Sequence, residues 1–205
     1  MRILRIIPVL LGLVLALSCS QPQSPTLQQG TLLPQAKLIS DFSLIDHNGA
    51  RFNLDRLKNH WTFTFFGYTH CPDVCPTSMA VLAQVQRRLE EAGTRELPEV
   101  AFISVDPQRD TPVALATYVP YFHSAFIGVT GDSDEIFKLT RQLGILYGKA
   151  ETESQDSENY LVDHSASIIL FDPDGAFRAL FGPPHDPAKI ASDFLAIRGY
   201  YEKIR

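Results

Sequence analysis

The sequence predicts an α/β domain of the thioredoxin-like kind: a central mixed β-sheet flanked by helices, with an N-terminal β-hairpin extension. Three observations predict it. Short apolar runs bounded by turn residues alternate with stretches of helical periodicity. The run Trp61 to Phe66 leads through a turn carrying Cys71 and Cys75 directly into a helical stretch. The chain closes on a hairpin followed by a last helix. Strand, cysteine turn, helix, further βα unit, hairpin and final helix is the order of that fold.

Each element has its own signal. Residues 40–46 and Arg51-Phe52 are the arms of a hairpin around Asn48-Gly49, a strong turn dipeptide. Trp61 to Phe66 is apolar enough for a buried strand. Pro76 to about Glu91 carries Met79, Leu82, Val85 and Leu89 at three- and four-residue spacing, one face of a helix. Val100 to Val105 is a second buried strand. Asp110-Thr111-Pro112 combines an N-cap with proline in the first turn and opens a helix to Val119. Phe126 to Thr130 is a third strand, and Asp132 or Ser133 starts a helix that runs through Leu143 and stops at Gly144. Ile145 to Lys149 and Tyr160 to Val162 are short strands flanking the acidic segment Glu151 to Glu158. Ser167 to Phe171 and Phe177 to Phe181 form a hairpin around Asp172-Pro173-Asp174-Gly175, and Asp186-Pro187 starts the last helix.

Residues 1–19 read as an export leader. Arg2 and Arg5 precede an apolar run from Ile6 to Leu17, which is shorter than the roughly 18–20 residues that span a bilayer as a helix. Leu15 to Cys19 resembles a lipobox, with Ala16 where leucine is usual, and makes Cys19 the candidate lipidation site. That places the chain in a bacterial cell envelope, held to a membrane by a lipid anchor and facing the periplasm or the extracellular side. Residues 20–36, rich in Gln, Pro, Ser and Thr, read as a flexible tether, and the folded domain is expected over 37–205. Loss of Arg2 and Arg5 takes the formal charge from −5 to −7. No basic stripe exists, so no nucleic-acid partner is expected.

With Cys19 assigned to the anchor, Cys71 and Cys75 are the cysteines left. In an exported chain the plain reading of such a pair is a structural disulfide. Two other readings compete with it: thiol exchange with a partner, and a grip on a soft metal ion. Cys75 precedes Pro76 and is expected to cap the helix, with Cys71 one turn-length earlier. Both sulfurs then sit at the positive end of a helix, which favours thiolate. The pair is separated by three residues, not the two of a thioredoxin-type oxidoreductase. That spacing permits a disulfide and also lets the sulfurs open around an ion. Two thiolates suit Cu(I), whereas tetrahedral zinc wants two more protein ligands.

A third donor is sought among the six histidines. His47, His60, His123 and His185 read as surface or capping residues. His70 adjoins Cys71, but neighbouring side chains point apart in extended chain. His164, in Val162-Asp163-His164-Ser165, precedes the strand Ser167 to Phe171, and in this fold that loop faces the cysteine turn. It is a candidate ligand, against a loop histidine bonded to backbone. Asp163 is a candidate to orient it, and Asp73 to cap the helix or set the local field.

Three blocks carry a family resemblance. Phe66-Gly67-Tyr68-Thr69-His70-Cys71-Pro72-Asp73-Val74-Cys75-Pro76 resembles the signature of the Sco/SenC proteins. Ser104-Val105-Asp106-Pro107-Gln108-Arg109-Asp110-Thr111-Pro112 resembles that family's second block. Val162-Asp163-His164-Ser165, followed by Asp172-Pro173-Asp174-Gly175, resembles its third. The resemblance runs from about Ile39 to Tyr200.

It implies a thioredoxin-like copper chaperone that helps assemble the CuA centre of cytochrome c oxidase. The implied metal ligands are Cys71, Cys75 and His164, and the implied cargo is copper as Cu(I), with Cu(II) also open. The implied partners are the CuA-bearing oxidase subunit, a copper donor and a thiol reductant protein. The alternative is an enzyme, a thiol-disulfide reductase in which Cys71 and Cys75 are the redox pair and His164 is dispensable. A peroxiredoxin-like peroxidase is disfavoured, because the Pro and Thr expected before a peroxidatic cysteine are not at the right offsets.

Overall fold

The computed structural model describes residues 22–150 and 160–205. The leader with Cys19 and the acidic segment Glu151 to Glu158 lie outside the described residues. In chain order the strands and helices are β1 (Gly30–Lys37), β2 (Ser43–Asp46), β3 (Arg51–Asn53), β4 (Thr62–Gly67), α1 (Val74–Glu91), β5 (Glu99–Ser104), α2 (Pro112–Tyr118), β6 (Ile127–Thr130), α3 (Ser133–Leu143), β7 (Tyr147–Lys149), β8 (Val162–His164), β9 (Ile168–Phe171), β10 (Phe177–Phe181) and α4 (Pro187–Ile204).

Eight strands form one mixed sheet in the order β1-β10-β9-β4-β5-β6-β2-β3. β4, β5 and β6 run parallel and the other pairings are antiparallel. β4 and β5 pair in register from Thr62↔Glu99 to Gly67↔Ser104, and every residue of β4 is buried. A strand covered on both faces reads as an unbroken apolar run, which is how Trp61 to Phe66 announces itself. The hairpin β2–β3 turns at Gly49, whose φ of +81° suits glycine, and joins the sheet through β6. α1 and α4 pack against each other. Trp61 stands edge-on to Phe194 and Tyr201 at 5.7 and 5.2 Å, tying the foot of β4 to α4.

Two expectations change. The tether does not reach residue 36: residues 30–37 form β1, paired with β10 on the sheet edge. Pro34 hides that strand in the sequence, yet an edge strand tolerates a residue without an N–H, and the register is irregular between Leu32 and Lys37. Helix α1 begins at Val74 with Asp73 in the capping position, so Cys75 is its second residue and not its cap. Pro76 is tolerated because the first four helical N–H groups have no intrahelical acceptor anyway. Asp73 is exposed and its side chain makes no capping hydrogen bond.

Candidate metal centre

The site lies where the central strand hands over to the first helix. β4 ends at Gly67, the Cys71 amide donates to the Tyr68 carbonyl at 3.2 Å, and the chain turns into α1. The Cys75 amide faces the Cys71 sulfur at 3.5 Å. Cys75 is fully buried and Cys71 half-buried, and both are free thiols. Gly67 is required here by space alone, since a Cβ at that position would lie 2.7 Å from the Cys75 sulfur.

His164 comes from the far side of the sequence. It ends β8, which pairs with β7 as a separate two-stranded sheet (Tyr147↔His164, Lys149↔Val162). The Ser165 amide donates to the Leu146 carbonyl at 2.8 Å, and the Leu146 amide donates to Ser165 Oγ at 3.1 Å. These bonds hold the imidazole with Nε2 3.2 Å from Cys75 Sγ. Nδ1 lies 3.3 Å from the Ser165 carbonyl, so it carries the proton and leaves Nε2 as a lone pair aimed at the sulfurs. The rings of Phe65 and Tyr68 meet the imidazole edge-on at 5.9 and 6.0 Å. Ligand atoms of Cys71, Cys75 and His164 all lie within 4.8 Å of one another, the one such cluster among the described residues.

Burial sets the protonation of this group. It holds His164 below the usual imidazole range, so the ring is neutral at pH 7. It also pushes the Cys75 thiol well up, against the expectation that the helix end lowers it. Desolvation of a fully buried sulfur outweighs the helix dipole, and a cation among the ligands reverses that balance.

The second sequence block is the frame of the cysteine loop. Asp110, fully buried, accepts from the Thr69 amide at 3.0 Å, from Thr69 Oγ1 at 2.6 Å and from Ser104 Oγ at 2.6 Å. Thr111, not Asp110, caps α2 by accepting from the Ala114 amide. Asp106 accepts from the Arg109 guanidinium and from the Tyr160 hydroxyl, and that guanidinium stacks 3.6 Å from the Tyr160 ring centroid. This clasp pins the strand pair that carries His164 to the loop after β5.

The remaining candidates stay outside the cluster. Asp163 is exposed, one residue from His164 and so on the opposite face of β8; the group that meets Nδ1 is the Ser165 carbonyl. His70 is exposed beside Thr69 Oγ1 at 3.1 Å. His47 accepts from the Gly128 amide at 2.9 Å, His60 sits 3.3 Å from Glu99, and His123 accepts from the Ala125 amide at 3.2 Å. His185 lies between the Phe181 carbonyl and Ser78. Sequence reasoning missed the Asp106–Tyr160 clasp and the rings of Phe65 and Tyr68, which only tertiary packing brings to the site.

A family model, SCO1/SenC, matches residues 30–198. The chain belongs to the SCO1/SenC family. An SCO2-like protein of Rickettsia conorii is 37% identical over 180 residues, covering 86% of each chain. The copper-bound structure of Arabidopsis thaliana ScoI superposes with a TM-score of 0.72 at 38% identity, covering 78% of this chain and 98% of that one. Copper-bound Bradyrhizobium japonicum ScoI gives 0.67 at 36% identity, covering 80% and 99%. The thioredoxin-like architecture expected from the sequence is thus the architecture of this SCO1/SenC domain. The family match also begins at residue 30, the first residue of β1.

Proposed function

We propose that this chain is a membrane-tethered copper chaperone that binds one copper ion through Cys71, Cys75 and His164. The observation that carries the reading is the convergence of two sulfurs and one imidazole nitrogen within 4.8 Å from positions 89 residues apart. Two thiolates, a neutral imidazole and Cu(I) carry a net charge of −1, which suits the N-terminal end of α1. Three donors leave a coordination position open. A cavity of about 300 Å³, lined by Leu146, Tyr147, Gly148, Asp163, His164 and Ser165, opens on the strand pair that carries the imidazole.

The recipient in this reading is the CuA-bearing subunit of cytochrome c oxidase, and the anchor is a lipid on Cys19. Copper passes by ligand exchange, with an incoming thiolate replacing one donor before the next leaves. Oxidation of Cys71 and Cys75 to a disulfide removes two ligands and two electrons, so loading depends on a thiol reductant. Deleting the gene is expected to abolish CuA-dependent oxidase activity, with added copper restoring part of it. Unchanged oxidase activity at limiting copper would reject the assembly role.

One observation favours a second reading, a thiol-disulfide reductase. Cys71 is the more accessible sulfur and faces a helix amide, while Cys75 is buried behind it, the arrangement of an attacking and a resolving thiol. Cys71 would attack a substrate disulfide and Cys75 would release the reduced substrate as the Cys71–Cys75 disulfide forms. Turnover of a disulfide substrate that survives His164→Ala would favour this enzyme over the chaperone.

A further inference from the structure

The path of the chain into the domain fixes which end of it a membrane anchor can hold. Gly30, Phe181, Ile168 and Phe65 stand at one level across β1, β10, β9 and β4, at the end of the sheet where the cysteine turn begins. The opposite end is marked by Tyr201, 5.2 Å from Trp61 at the foot of β4, with its hydroxyl on Asp174 in the β9–β10 turn. Residues 28–30 are pinned beside the start of α4: the Gln29 side chain donates to the Gly182 carbonyl at 3.1 Å and accepts from the Asp186 amide at 3.0 Å. The amides of Gln28, Gln29 and Gly30 all donate to the carboxylate of Asp193 at 2.8 Å, and Asp193 is 2% exposed. From this clamp the preceding residues double back along β1. Ser24, Pro25 and Leu27 line one hollow with Gly30, Leu32, Leu33, Pro34 and Tyr200, which runs from the level of Gly30 towards the far end of α4.

The length of chain ahead of that hollow is short. Ser24 is five residues from Cys19, a reach of at most about 18 Å when fully extended. α1 runs from the cysteine turn to the opposite end over Val74–Glu91, a rise of about 27 Å. The leash is therefore shorter than the domain is tall, and it starts from the hollow that Tyr200 lines. Tyr200, the exposed Ile204 and the long side chains of Lys203 and Arg205 form the end of α4. An aromatic ring with lysine and arginine is a combination that settles at headgroup level.

We infer that the domain stands on the bilayer with the Tyr200 end of α4 down and the Cys71, Cys75 and His164 group turned to the aqueous side. The Asp193 clamp keeps it in that attitude. This rests on the lipid-anchor reading of Cys19. It makes the partner a protein that presents its copper-accepting groups above the membrane surface, not within the headgroup layer.

The test uses the full-length lipidated protein in vesicles of phosphatidylethanolamine and phosphatidylglycerol with an acceptor dye on the headgroups. A donor dye is attached through p-azidophenylalanine at Glu91, at the far end of α1, or at Gln108, in the exposed loop beside the site. Energy transfer from Glu91 is expected to exceed that from Gln108 several-fold. A long Gly-Ser segment inserted after Ser20, which leaves the domain untouched, should bring the two values together, and Asp193→Ala should move them the same way. Equal transfer from both positions in the unmodified protein, or greater transfer from Gln108, would overturn the orientation. Failure of the protein to co-sediment with the vesicles would instead refute the anchor reading, and the orientation with it.

Discussion

The imidazole Nε2 of His164 rests 3.2 Å from the sulfur of Cys75, a contact between a two-stranded arm and the first turn of a helix. No local propensity brings these residues together. The contact depends on three separate devices: the space left by Gly67, the buried Asp110 under the cysteine loop, and the clasp between Asp106, Arg109 and Tyr160. Each can be removed singly, and each makes a different prediction.

Gly67→Ala places a methyl group 2.7 Å from the Cys75 sulfur, 3.0 Å from Phe102 and 3.1 Å from Phe65. All three neighbours are buried, so overpacking should cost about 1–3 kcal/mol. Cu(I) affinity should fall as well, because the sulfur that must move is a ligand in the proposed site. Urea denaturation with a parallel Cu(I) competition titration measures both. Wild-type affinity in a destabilised protein would show that the sulfur does not need this position.

Asp110→Ala leaves the Thr69 amide, Thr69 Oγ1 and Ser104 Oγ without their shared acceptor. Stranding buried donors should cost about 2–4 kcal/mol in unfolding free energy. The loss should appear locally too, as faster amide hydrogen exchange from Tyr68 to Cys71. Exchange that stays at the wild-type rate in that loop would contradict the framing role.

Tyr160→Phe deletes one hydroxyl and keeps the ring under the Arg109 guanidinium. Global stability should change little. Tyr160 touches none of the proposed ligands, so the effect comes through the strand pair that carries His164, and Cu(I) affinity should fall by no more than about 10-fold, the low end for a group bonded directly to a ligand. A Cu(I) competition assay reads it, and unchanged affinity would show that the strand pair needs no clasp.

His185 supplies a pH dependence away from the site. It is half-buried between the Phe181 carbonyl and Ser78, and burial lowers its pKa from 6.5. The unfolded chain then binds the proton more readily than the fold does. Stability is complete above about pH 6.5 and is lost as pH falls through that value towards the lowered one. His185→Gln should flatten the slope of unfolding free energy against pH below about 6.5. A slope identical to that of the wild type would remove His185 as its source.

Much of this was legible in the residues. The apolar run at Trp61 to Phe66, the helical spacing of Met79, Leu82, Val85 and Leu89, and the Asp-Pro-Asp-Gly turn are local signals, and each became the expected element. The pairing of Cys71 and Cys75 at a helix start is local too. The convergence of His164 on them followed from the expected fold and the family resemblance. What stayed hidden depends on contacts between distant segments. β1 carries Pro34 and no strict alternation, so its strand character comes from pairing with β10, and its entry is set by Asp193 from the last helix. The sequence rule for a residue before proline put the cap at Cys75 and the start of α1 at Pro76, two residues late, because a proline in the first turn gives up no intrahelical hydrogen bond. Tyr160 gave no signal, since its role exists only once Asp106 and Arg109 are folded beside it.

The most direct test of the central claim is an anaerobic Cu(I) titration of the reduced protein in competition with a chromophoric chelator, alongside Cys71→Ser, Cys75→Ser and His164→Ala. The account predicts one Cu(I) per wild-type monomer, loss of tight binding in both serine variants and a clear loss of affinity in His164→Ala. Stoichiometric binding of wild-type affinity in His164→Ala would contradict it.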